Sequence, residues 1–69
     1  MTEYLVVYEL EGDSWGAYSP DLPGCVAAAA SREEVETLMA EAVQCYVEYL
    51  RDEGLPVPGS SHAAGYVAA

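Results

Sequence analysis

Three carboxylates, Glu9, Glu11 and Asp13, gather near the first turn of this chain. Acids carried on a strand can hold a pair of divalent cations for phosphoryl transfer, the metals neutralising the phosphate oxygens. Only Glu9 and Glu11 share a strand face, because side chains alternate along a strand. No cation stands near them to handle a phosphate. The plainer reading is a solvated acidic turn, and a degenerate metal-dependent nuclease is the weakest of three functions carried forward. The other reactive side chains are His62, in a stretch rich in Pro, Gly and Ser, and Cys25 and Cys45, neither of them beside it. A nucleophile with a base is therefore not expected. The cysteines match no zinc spacing and are too few for a disulfide framework; both read as small buried apolar residues in a reducing compartment. The glycines are scattered singly, so no phosphate loop forms. No catalytic, cofactor or metal site is expected. Tyr8, Trp15 and Tyr18 are of the type on which bases stack, but without basic neighbours they read as core packing or a protein interface.

The elements that position these residues follow from spacing. Residues 3–10 are rich in β-branched and aromatic types and predict a strand. Tyr4, Val6, Tyr8 and Leu10 share one face, expected to meet the core. Leu5, Val7, Glu9 and Glu11 share the other, apolar at one end and acidic at the other, which predicts partial exposure or a partner. Glu11-Gly12-Asp13-Ser14 supplies a hairpin turn. A second strand is expected over 15–19 and a third over 24–29, thinned to alanine so that a helix can approach closely. Between them Pro20 and Pro23 fix φ and remove two donors, Gly24 permits an unusual backbone angle, and Asp21 is placed to hydrogen-bond its own turn.

Ser31 with Glu34 forms a capping box. The helix it starts is expected over 32–53, stopped by Gly54 and Pro56. Val35, Leu38, Met39, Ala42, Val43, Tyr46, Tyr49 and Leu50 recur at helical period, and Cys45 and Val47 widen the stripe. Such a helix is about 34 Å long at the standard rise, longer than the strands beneath it, so part of it overhangs its sheet or meets another subunit. Residues 55–63 read as a linker and 64–68, around Tyr66 and Val67, as a short fourth strand.

Sixty-nine residues make one domain, here 1–69, and bury only about 60% of their unfolded surface, so a lone core is marginal. Twelve acids face two arginines and no lysine, a formal net charge of −10. Direct nucleic-acid binding needs cations to replace counterions, and an anionic membrane surface is disfavoured for the same reason. A basic protein partner is favoured, since opposite fields steer encounter; solubility alone is the plainer account of an acidic surface. There is no signal peptide and no membrane span, which fits a cytoplasmic protein.

Tyr4-Leu-Val-Val-Tyr-Glu, Trp15-Gly-Ala-Tyr, Pro20-Asp-Leu-Pro-Gly-Cys-Val26, Ser31-Arg-Glu-Glu and the helix ending Tyr49-Leu50 stand in an order that resembles the HicB-like antitoxin family, over roughly residues 3–58. The Pro-Asp-Leu-Pro-Gly-Cys segment is its specific part. The resemblance implies an α+β, truncated ribonuclease-H-like fold: three antiparallel strands, one long helix, and a last strand beside the first. It implies a non-enzymatic protein that neutralises a small basic, messenger-RNA-cleaving (HicA-like) toxin by binding over its active site. Two departures stand out. No C-terminal DNA-binding domain is expected from these residues, and Ala29 and Ala30 replace the Gly-Asp pair usual before the helix cap, so that connection must use ordinary backbone angles.

From residues and resemblance together, the expected partner-binding surface is Glu9, Glu11, Asp13, Trp15, Tyr18, Asp21 and Leu22. A homodimer or tetramer is expected through Leu5, Val7, Tyr46, Tyr49 and Leu50. The second function carried forward is a stand-alone oligomeric scaffold or regulator with no toxin.

Overall fold

The computed structural model of the chain describes residues 2–69. Strand β1 (Val7–Glu11) turns into β2 (Ser14–Tyr18), β3 (Val26–Ala29) follows, and helix α1 (Arg32–Asp52) closes the series. The sheet is antiparallel in the order β1-β2-β3. This is the expected α+β arrangement of three strands and one helix.

The first strand begins four residues later than its apolar run predicts, and a proline explains it. Continued past the Val7–Tyr18 pair, the ladder would set Leu5 against Pro20, which has no N–H to give. A side chain fills the gap: the Ser19 hydroxyl donates to the Leu5 carbonyl at 2.9 Å. The segment Ser19–Cys25 then closes on itself. Leu22 N–H donates to Ser19 O at 3.1 Å, Cys25 N–H to Leu22 O at 3.0 Å, and Ser19 N–H to Cys25 O at 3.3 Å. Gly24 takes the left-handed φ of 82° that this path requires.

Ser31 caps α1 as its spacing predicts. Its backbone is extended, and its oxygen accepts from Glu34 N–H at 3.2 Å. The reciprocal bond differs from the usual box, because the Ser31 hydroxyl donates to the Glu34 carboxylate at 3.0 Å. No residue other than glycine has positive φ among the described residues, so Ala29 and Ala30 do pass into the helix with ordinary angles. The helix ends in a Schellman arrangement: Leu55 N–H reaches Leu50 O at 2.8 Å and Gly54 N–H reaches Arg51 O at 3.1 Å, with Gly54 at φ 68°.

One face of α1 meets one face of the sheet. Ala17, Leu22, Cys25, Val35 and Met39 are buried, and Tyr4, Val6, Tyr8, Trp15, Ala27, Ala29 and four helix residues pack around them. Two core expectations need correction. Leu10 is 59% exposed: it pairs with Trp15 at the far end of the hairpin, while the helix packs over β2 and β3 and leaves that corner open. Cys45 is exposed where Cys25 is buried, so the apolar stripe of α1 is narrower than Cys45 suggests.

The fourth strand does not form. Residues 55–69 hold no regular structure, and Tyr66 and Val67 are fully exposed. Two apolar residues between Gly65 and a pair of alanines bury too little to offset the entropy of ordering a strand.

Candidate functional site

The side of the sheet away from α1 is covered by no other strand or helix among the described residues. Alternation from the buried Ala17 sends Tyr18, Gly16 and Ser14 outward, and the register sets Val7 and Val26 on either side of Tyr18. Val7, Tyr18 and Val26 thus form an apolar row across all three strands, with Tyr18 41% and Val26 63% exposed. The next row is Glu9, Gly16 and Ala28, flat because two of its members have almost no side chain. Beyond it Glu11 faces Ser14. The face grades from apolar to acidic in two steps of the pleat.

This surface brings together residues that the sequence assigned to different roles. Glu9, Glu11 and Tyr18, expected to meet a partner, lie on the same face as Val7, expected to meet a second copy. Asp13 is exposed at the hairpin tip beside them. Val26 belongs to the row and was not anticipated; strand alternation applied to residues 24–29 was the signal that could have found it.

Other expected contact residues lie elsewhere. Leu22 is completely buried and, in this conformation, offers a partner nothing; two prolines and a closed turn push it inward as a plug. Trp15 is half-buried against the core. Above it the Arg32 guanidinium lies 5.8 Å from the indole centroid and 5.4 Å from that of Tyr8, while its Nε donates to Glu36 at 3.0 Å. Arg32 is thus a basic neighbour of this aromatic pair that the sequence did not place there, and it is engaged with both rings by cation–π contact. Tyr46 is half-buried against the core and donates to the Pro23 carbonyl at 2.9 Å. Tyr49 is 58% exposed on α1 and Leu50 is half-buried.

Asp21 does not bond within its own turn as its position suggests. It receives the tail: Ser61 N–H donates to Oδ2 at 3.1 Å, Ser61 Oγ to Oδ1 at 2.7 Å, and His62 Nδ1 lies 2.7 Å from the same Oδ1. These donors, the Ser61 hydroxyl first, hold the Asp21 carboxyl below its ordinary value against the opposing effect of removal from water. His62 is therefore not the free linker residue that composition implies. Serine, histidine and aspartate meet here without forming a relay. Both Ser61 and His62 Nδ1 point at the carboxylate, and the hydroxyl is 3.4 Å from that same nitrogen, leaving no base to take its proton.

Burial pushes the Cys25 thiol above its ordinary value, away from nucleophilic use. Among the described residues no group of three or more acidic, histidine or cysteine side chains could hold a metal ion. An open groove of about 340 Å³ runs between Tyr4 and the second half of α1, lined by Val43, Val47, Gln44, Glu48 and Arg51 among others. No helix among the described residues is long and apolar enough to cross a membrane.

A closed core on one side and an acid-edged sheet face on the other define a small α+β protein. Its relationships agree. Residues 4–69 match the family described as the HicB_like antitoxin of bacterial toxin-antitoxin systems, and the chain belongs to that family. No curated protein and no solved structure matches the chain significantly.

Proposed function

We propose that this protein is an antitoxin that neutralises a small basic, RNA-cleaving toxin of the HicA-like kind by covering it, in the cytoplasm and without catalysis. Membership of the antitoxin family supports the role. The observation that carries the mode of binding is the outer sheet face, where the Val7–Tyr18–Val26 row supplies apolar anchor area and Glu9, Glu11 and Asp13 supply the field. Apolar anchors hold a complex together while edge charges mainly steer encounter. A net charge of −10 suits a cationic partner and repels nucleic acid.

The test is titration with the protein encoded by the neighbouring reading frame. Binding should weaken as salt rises. Val26→Asp should raise Kd by about tenfold or more through lost apolar contact, and joint replacement of Glu9 and Glu11 by glutamine should slow association while changing dissociation little. A basic neighbour that does not bind, or binds with no salt dependence, overturns the reading.

A second reading, self-association, rests on a different observation. Among the described residues only five apolar side chains are buried, and Tyr49, Leu38 and Leu55 remain open around α1. Thin cores of this size are commonly completed by oligomerisation. A dimer or tetramer using Leu5, Val7, Tyr49 and Leu50 would elute above the mass of the 7.4 kDa chain in light scattering at low micromolar concentration; a clean monomer overturns it. In the absence of a toxin the same assembly would serve as a scaffold or regulator.

A further inference from the structure

We propose that residues 58–62 are a releasable strap, latched across the Pro20–Gly24 turn by the Asp21 carboxylate, which decides whether that carboxylate belongs to the protein surface. The receiving side is rigid. Ser19–Cys25 is closed by three backbone hydrogen bonds and anchored by the buried Leu22, and two prolines leave it little freedom. The strap has no regular structure of its own. Its polar ties to the rest of the chain are the three donors on Asp21 and, upstream, the Tyr4 hydroxyl donating to the Pro58 carbonyl. A rigid acceptor with an extended segment laid on it is a peptide-binding arrangement within one chain.

The strap changes what the turn presents. With it in place the Asp21 side chain is 5% exposed although His62 is 49% exposed. Both carboxylate oxygens are engaged by N–H and O–H donors, the pairing an arginine fork would otherwise provide. Of the chain's two arginines, Arg32 is committed to Glu36 and the Tyr8–Trp15 pair, and Arg51 stands in the last turn of α1, lining the groove beside Tyr4. Lifting the strap exposes a preformed anionic acceptor in the turn, three residues along the chain from Tyr18 of the outer sheet face. Its use by a basic partner rests on the function proposed above; the latch itself does not.

The latch is acid-labile. Ser61 and His62 face the carboxyl from the tail. From α1 the Tyr46 phenol sits on the Pro23 carbonyl, two residues along the turn, and His62 is the one titratable side chain in contact with Asp21 among the described residues. A carboxyl held below its ordinary value contributes fully above the ordinary carboxylate range and loses that contribution as pH falls through the lowered value. Protonation removes the charge that strengthens these three bonds and sets a hydrogen on one of the accepting oxygens, which frees the strap.

Backbone ¹⁵N relaxation and amide exchange on the full chain test this without any partner. At neutral pH Ser61 and His62 should be as ordered as α1. Asp21→Asn should mobilise the chain from about residue 59 onward and speed Ser61 amide exchange by about tenfold or more, the weight of a charge-assisted hydrogen bond, with sheet and helix signals unchanged. Replacing Ser61 and His62 together by alanine should do the same while leaving the turn untouched, which guards against a folding defect in the first variant. Acidification should release the tail of the wild type before the sheet melts and change nothing in the tail of Asp21→Asn. A wild-type tail as mobile as the variants' tails, or variants whose tails stay ordered, overturns the proposal. A strap that behaves as described in a chain that binds no toxin overturns the function alone.

Discussion

Two leucines measure how unevenly this small fold uses its apolar residues. Leu22 sits in a tight proline-bounded turn and is completely buried, whereas Leu10 lies within a strand, one residue from its end, and is 59% exposed. Leu22→Ala removes a plug from a loop that its prolines keep from collapsing, and the cavity should cost about 3 kcal/mol. In a chain this short each kcal/mol shifts Tm by about 4–8 °C, so thermal unfolding should fall by more than about 10 °C or be lost altogether. Leu10→Ala deletes the same atoms and should stay within about 0.5 kcal/mol. Circular dichroism melts of the pair check both; equal losses would mean that the turn does not fill the core. Sequence pattern ranks these two residues in the opposite order, because alternation assigns a face without saying how far the covering helix reaches, and a turn motif does not say which of its side chains points inward. Asp21 and His62 were illegible for a related reason, being 41 residues apart and brought together only by the path of the tail.

At the scale of elements, local signals were strong where the physics is local. The helix start, its stop and its length follow from Ser31, Glu34, Gly54 and Pro56, and the observed Arg32–Asp52 differs from expectation by one residue. Ser31 accepts from Glu34 N–H and donates to the Glu34 carboxylate, so Ser31→Ala removes both halves of the cap and should cost about 1 kcal/mol. Ser31→Asn, another good cap, should restore most of it. Denaturant midpoints with unchanged slopes check this; no loss in the alanine variant would show that packing of Val35 and Met39 alone fixes the helix start. Strand limits were less legible because pairing is not local. Residues 3–6 have every β-forming type needed, yet the ladder stops where Pro20 withholds a donor from the neighbouring strand. The missing fourth strand makes the same point from the other side, since strand propensity at Tyr66 and Val67 has no partner strand to act through.

For the whole molecule, charge and thinness act together. The described chain is 18 Å thick at its narrowest, which is one sheet plus one helix about 10 Å across, and so the second face of the sheet has no further strand or helix of the described residues to cover it. The ten excess negative charges are spread over a body 41 Å long, a few Debye lengths at physiological salt, and they repel one another when the chain folds. Salt should therefore act in opposite directions on two properties of the same molecule. Screening relieves the self-repulsion, and the free protein should become more stable between 20 mM and 500 mM sodium chloride, a range over which the Debye length falls from about 20 Å to about 4 Å. Screening also removes the attraction of a cationic partner, so association with it should slow over the same range while the apolar anchors keep dissociation nearly constant. Melting curves and association kinetics recorded in one salt series test the pair of trends. A free chain indifferent to salt would mean that its acids are balanced locally and that its net charge is no guide to what it binds; a stability that rises while association falls ties the acidity of this protein to a partner rather than to its own fold.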